Sequence, residues 1–279
     1  MNTWLYRKVR HRYRCPEWNR RSLWMMLSRR GLLGGLPLVV AGAARADSAP
    51  VRIYAAVTFR AALDPVLAAY RQAGGAAVAI YAPTPLLIRQ LAGGAAADIL
   101  MSADPDWMDE AVRQGLVQAG TRVDLMTNDL VLAGPPGTPA AGTITRGFGI
   151  GALLAGGRLA MCDPAHHPAG RYGKQSLRSL GLWQTVEPHI AIAESAPAAI
   201  VLVDRGEARA AIAFKTDLHG DDKAVIVGRF APESHAPILY PAALTRGARN
   251  PQAAQALAFL HGPAARRIFA GFGYKVPAE

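Results

Sequence analysis

The chain has 279 residues with 31 Lys and Arg against 20 Asp and Glu, a formal net charge of +11. The excess sits at the front: residues 1–46 hold ten basic residues and one acid, whereas residues 47–279 hold 21 and 19. A nearly neutral body, 51% hydrophobic over the whole chain, excludes a nucleic-acid footprint and general disorder, and its lone cysteine, Cys162, excludes an internal disulfide and a Cys-based metal cluster.

The first element in chain order reads as an export leader. Ser28-Arg29-Arg30-Gly31-Leu32-Leu33 opens an apolar stretch that ends in Ala44-Arg45-Ala46, giving the charged, apolar and small-residue parts of a signal peptide in order. Paired arginines before Leu-Leu are the twin-arginine pattern, so residues 25–46 are expected to direct export and cleavage after Ala46 to leave the protein in the periplasm. Residues 1–24 add a second basic stretch that such a leader does not need, and Met25 or Met26 is the expected start. No apolar run in the body approaches the roughly 20 residues of a membrane helix.

From Asp47 onward, short apolar runs alternate with helical patterns, which predicts an α/β protein with mainly parallel sheets. Residues 51–57 read as a strand. Residues 61–73 read as a helix whose Leu63, Val66, Leu67 and Tyr70 fall on one face. A strand at 77–81, a short helix at 86–91, a strand at 98–102 and a helix at 106–114 complete three β-α units. After the Gly/Pro-rich loop 134–139, a second series runs through a strand at 158–162, helices at 172–180 and 198–204, and a strand at 210–214. The end, 251–260 and 264–269, reads as two helices without a strand of their own. They must pack on an existing sheet, most simply the first. The chain is therefore expected to cross between lobes twice, near Thr127-Asn128-Asp129 and near Leu239-Tyr240-Pro241. That gives lobe I as 47–127 plus 239–279, lobe II as 128–238, and a hinged cleft between them.

Three strand-to-helix loops are the candidate binding places, because a helix N-terminus offers unpaired N–H groups and partial positive charge to an anion. They are Ala55–Phe59 with Thr58 near the cap, Tyr81–Pro85 with Thr84 placed to cap, and Asp163–Gly170. Other chemical readings are weaker. Adjacent His166 and His167 diverge and make a poor metal pair, so they read as solvated loop residues. Asp104, Asp106, Asp109 and Glu110 sit where acids stabilise a helix start. Cys162 ends an apolar strand and reads as a small core residue. No nucleophile-base set and no phosphate-loop motif is present, so the chain does not read as an enzyme.

Several segments resemble the periplasmic molybdate-binding proteins of ABC importers. They are Leu91-Ala92-Gly93-Gly94-Ala95-Ala96-Ala97-Asp98-Ile99 leading to Ser102-Ala103-Asp104-Pro105-Asp106-Trp107-Met108-Asp109, then Asn128-Asp129-Leu130-Val131-Leu132, and Asp163-Pro164 with Pro168-Ala169-Gly170-Arg171-Tyr172. The tail Gly262-Pro263-Ala264-Ala265-Arg266-Arg267-Ile268-Phe269 continues the likeness, which covers nearly all of residues 51–275. The resemblance implies a two-domain, type II-like periplasmic binding protein, each lobe a mainly parallel sheet flanked by helices. It implies one tetrahedral oxyanion, molybdate or tungstate, held by neutral donors at Thr58, Thr84, the Ala169 amide, the Ala196 amide and the position of Phe214.

Phe214 departs from the family tyrosine and cannot donate, and Pro85 removes an N–H from the second loop. The resemblance further implies a membrane permease as partner, a monomer, and no cofactor or resident metal. The alternatives are a relative tuned to another small anion or acid, an enzyme on the same scaffold, and a sensor subunit.

Overall fold

The computed structural model describes residues 49–218 and 223–276, so the leader and both candidate start residues lie outside the described residues. Residues 46–279 cluster as one compact unit. In chain order its regular elements begin with β1 (Val51–Ala56), α1 (Arg60–Gln72), β2 (Ala77–Ala82), α2 (Thr84–Ala92), β3 (Ile99–Met101), α3 (Pro105–Arg113) and β4 (Val123–Thr127). β5 (Leu130–Gly134), β6 (Gly142–Ile144), α4 (Ile150–Leu154), β7 (Leu159–Cys162), α5 (Pro168–Ser179), α6 (Trp183–Val186) and β8 (Ile190–Ala193) follow. The chain continues through α7 (Ala196–Asp204), β9 (Ala210–Phe214), β10 (Val225–Phe230), β11 (Leu239–Leu244), α8 (Ala253–His261) and α9 (Pro263–Gly271).

Two sheets result, one five-stranded in the order β2-β1-β3-β11-β4 and one six-stranded in the order β6-β10-β5-β9-β7-β8. In the first, β1, β2 and β3 are parallel and β11 runs antiparallel between β3 and β4. In the second, β5 is antiparallel to both of its neighbours while the other pairings are parallel. This is the two-lobed α/β fold of periplasmic binding proteins. Because most strands run one way, their carboxyl ends gather along one edge of each sheet, where open α/β sheets bind ligands.

The chain passes from the first sheet to the second at Asn128-Asp129, between β4 and β5, and returns through residues 231–238, between β10 and β11. Leu239 pairs with Thr127, so the two passages lie side by side as a two-stranded hinge. Asn128 fastens it: its Nδ2 donates to Thr216 Oγ1 at 2.7 Å and to the Tyr240 hydroxyl at 3.0 Å. The tail adds a further tie, because Thr127 N donates to Lys275 O at 2.7 Å and Lys275 N to Thr127 O at 2.9 Å. The two terminal helices are present without a strand of their own, as their pattern predicts, and beyond them Lys275 forms an isolated bridge to Thr127 at the hinge.

The apolar face of α1, with Leu63, Val66, Leu67 and Tyr70, is buried as its spacing predicts. The same core cluster runs through Leu125, Met126 and Leu130 at the hinge into Leu132, Ile212 and Leu177 of the second lobe. α8 and α9 pack on α1 and β11. A chain of aromatic edges also crosses the hinge: Phe59 meets Tyr240 at 5.2 Å between centroids, Tyr240 meets Phe214 at 6.4 Å, and Phe214 meets Tyr172 at 6.2 Å.

Candidate functional site

A cleft of about 380 Å³ opens at the carboxyl ends of the strands. From the first sheet it is lined by Ala56, Val57 and Thr58 after β1, by Pro83, Thr84 and Pro85 after β2, and by Ala103 and Trp107 after β3. From the second sheet come His166, His167 and Pro168 after β7, Glu194 after β8, and Phe214, Thr216 and Asp217 at the end of β9. Tyr240 and Tyr274 complete it at the hinge. No lysine or arginine lines the cleft among the described residues, so an anion held there depends on fixed N–H and O–H dipoles.

Each residue singled out from the sequence has a definite place. Thr58 lies in a 3-10 turn before α1 with an exposed side chain, and the α1 N-cap is Phe59. The Thr58 carbonyl accepts from the Tyr274 hydroxyl at 3.4 Å. Thr84 is not the cap of α2, which was the expectation; Pro83 holds that place and Thr84 is the first helical residue. With the cap position one residue earlier, the buried Thr84 hydroxyl is turned to accept from Ala103 N at 3.2 Å, tying the second loop to the third.

Ala169 is fully buried in the first turn of α5, which begins at Pro168 and not near Tyr172 as its apolar spacing predicts. Pro168 is itself a start signal, since its missing N–H costs nothing in a first turn. The Ala169 N–H then belongs to the set that no intrahelical carbonyl can satisfy. Ala196 opens α7, two residues before the predicted start, with Ser195 as N-cap accepting from Ala198 N at 3.2 Å. Ala169 and Ala196 do not themselves line the cleft; their neighbours Pro168 and Glu194 do. Thr58, Thr84 and Phe214 line it directly.

Phe214 offers only a ring edge, and its backbone N–H is taken by Asp217 Oδ2 at 2.9 Å. The polar and aromatic lining residues that sequence reasoning passed over are Trp107, Glu194, Thr216, Asp217, Tyr240 and Tyr274. Burial raises both tyrosine hydroxyls, Tyr274 to about 12 and Tyr240 well above its ordinary value, so both stay protonated at neutral pH. Nothing in their local pattern marks them, because the hinge brings them to the cleft from the far end of the chain.

The two histidines part company. His166 is exposed and pairs with Asp163 at 2.9 Å. His167, expected in solvent, is half-buried because it is the N-cap residue of α5 and is pressed into the cleft wall. Burial, helped by the nearby Arg171 charge and opposed by Asp163, holds its imidazole below the ordinary histidine range, so it is neutral at pH 7. Cys162 is buried and its thiol is pushed up to about 12, first by burial and then by the Asp217 charge, which makes it an inert core group. Asp104 caps α3 by accepting from Trp107 N at 2.9 Å, as an acid at a helix start should.

Two sheets meeting at a double-stranded hinge, with a cleft walled by strand ends from both, define a solute-binding protein. Residues 51–275 match the family model described as bacterial extracellular solute-binding protein, and the chain belongs to that family. Its relatives include molybdate-binding proteins. The chain is 35% identical over 243 residues to the molybdate-binding protein ModA of Escherichia coli, covering 86% of this chain and 95% of that one. It is 33% identical over 232 residues to the molybdate-binding protein ModA of Haemophilus influenzae, covering 82% and 91%. The periplasmic molybdate-binding protein of Azotobacter vinelandii superposes with a TM-score of 0.63 at 23% identity, covering 82% of this chain and all of that one, which is a likeness of fold.

Proposed function

We propose that this protein binds a tetrahedral oxyanion, molybdate or tungstate, in the cleft and delivers it to an ABC permease, with Thr58, Thr84 and the Ala169 and Ala196 amides as donors. The observation that supports the reading is the lining of the cleft: hydroxyls from both lobes and the α2 and α5 starts border one space that no lysine or arginine lines among the described residues. Fixed dipoles around a small dianion replace its hydration shell without the cost of reorienting, and closure of the lobes dries the space and strengthens each contact. Molybdate and tungstate are larger than sulfate, and a cleft whose donors close on the larger ion holds sulfate loosely. Binding and release are its whole activity in this reading, without catalysis or a cofactor. Residues 25–46 serve as a twin-arginine signal and the mature chain works in the periplasm as a monomer.

A second reading has a specific observation behind it. The wall formed by Trp107, Phe214, Tyr240 and Tyr274 is largely aromatic and Phe214 donates nothing, which suits a small organic anion with an apolar part. Calorimetric titration of residues 47–279 with molybdate, tungstate, sulfate, phosphate and a short organic phosphate separates the two. Heat with the first two alone supports the oxyanion reading; heat with the organic anion alone replaces it, and silence with all five removes both.

A further inference from the structure

Arg171 lies in the first turns of α5, two residues after Ala169, yet its guanidinium reaches the other lobe. Its Nη2 stands 3.1 Å from Asp104 Oδ2 and its Nη1 2.6 Å from Asp106 Oδ2. The two acids differ in kind: the Asp104 side chain is 0% exposed, the Asp106 side chain 67%. Asp104 is held in place by its cap bond to Trp107 N and by Ser102, whose hydroxyl donates to the Asp104 carbonyl at 2.6 Å. Its neighbour Ala103 gives its N–H to Thr84. The ion pair thus joins the β3-α3 segment, which the Ala103 N–H ties to Thr84, to the helix start that carries Ala169.

Burial raises the Asp104 carboxyl above its ordinary range, while the Trp107 N–H and the Arg171 charge pull the other way. A buried carboxylate of this kind tolerates its charge only beside a partner, and here that partner belongs to the opposite lobe. Separation of the lobes removes Arg171 and leaves the carboxylate to water. The closed form therefore carries an interaction that the open form lacks, independent of any guest.

We propose that Arg171 is a positioning residue that sets the affinity of the cleft without touching the ligand: bridging Asp104 and Asp106 of the facing lobe, it latches the lobes shut and holds the α5 start against the β3-α3 segment to which Thr84 is bonded. The affinity consequence rests on the cleft being the oxyanion site; the latch itself does not. A binding-competent form that is less populated weakens apparent affinity by the same fraction. A latch formed after the guest enters acts on dissociation, where most affinity changes among variants of one site are found.

The test compares the purified wild-type chain with Arg171→Met, Arg171→Lys and Asp106→Asn. Stopped-flow kinetics with molybdate and small-angle scattering without ligand are recorded at low and high salt. For Arg171→Met the expectation is dissociation faster by about tenfold, association changed by less than about threefold, and a larger radius of gyration without ligand. Asp106→Asn, altered at an exposed acid that caps nothing, gives a smaller change in the same direction. Lysine restores part of the slow dissociation, and salt speeds release from the wild type more than from the Met variant. If Arg171→Met matches the wild type in dissociation and in unliganded size, the latch is overturned. A lysine variant no better than methionine also overturns it, leaving only packing. If the wild type binds no molybdate but the Met variant still expands, the oxyanion reading falls and the latch stands.

Discussion

At the scale of single residues, Phe214 is the most informative position. It ends β9 in the cleft wall, its ring braced edge-on by Tyr172 and Tyr240, so a hydroxyl added at its tip extends along a direction already fixed by packing. Hydrogen bonds to a charged group are worth about 1.5–3 kcal/mol, so Phe214→Tyr is expected to tighten molybdate binding by roughly tenfold to a hundredfold. Isothermal titration of the variant checks this, and an unchanged affinity means that the ring edge does not face the guest. The departure at Phe214 was visible in the chain; the compensating wall was not. Tyr240 and Tyr274 reach the cleft because β11 and the tail return to the hinge, and no local spacing around either residue encodes that return.

At the scale of elements, the start of α5 concentrates the design. A Cβ on Gly170 would overlap the carbonyl oxygens of Cys162 and Asp163, the end of β7 and the residue after it. Those are backbone atoms that cannot swing aside, so only glycine lets the helix start sit this close to the strand end. Gly170→Ala is expected to cost about 1–3 kcal/mol by overpacking. At about 2–4 °C per kcal/mol for a body of this size, thermal melting should fall by several degrees. The same displacement moves the Ala169 amide, so ligand affinity should drop further than the loss of stability alone predicts. Titration at a temperature where the variant is fully folded makes that comparison; full-strength binding there would show that the amide has no part.

The elements that periodicity announced were those whose apolar pattern is unbroken, such as α1 and β9. Those it passed over have physical excuses. β11 contains Pro241, which ordinarily demotes a strand, and the sheet accepts it because the register shifts between Tyr240 and Pro241. β10 carries a similar irregularity between Ile226 and Gly228, and β6 is only three residues long. The early starts of α5 and α7 were legible in Pro168 and in Ser195-Ala196-Pro197, which outrank apolar spacing as boundary signals. The Arg171 contacts, by contrast, join positions that only tertiary folding makes neighbours.

For the whole molecule, the continuous core matters more than the visible division into lobes. Leu125, Met126, Leu130 and Tyr240 belong to the same buried cluster as Leu63 on one side and Ile212 on the other. The body should therefore unfold in one cooperative transition, not two, when followed by both near- and far-ultraviolet circular dichroism. A guest bound only by the folded state adds about 2.7 kcal/mol at a hundred times its dissociation constant, so saturating molybdate should shift that single transition upward as a unit. Two separated midpoints, or a shift confined to one of them, would contradict this picture.

The tail deserves its place in that scheme. Lys275 exchanges two backbone bonds with Thr127 and sets its ammonium against Asp129, which makes it a third thread stitched along the swivel. A purification handle or fluorophore appended after Glu279 would begin four residues along the chain from that seam. Engineers who want this molecule as a sensor should attach their reporters elsewhere.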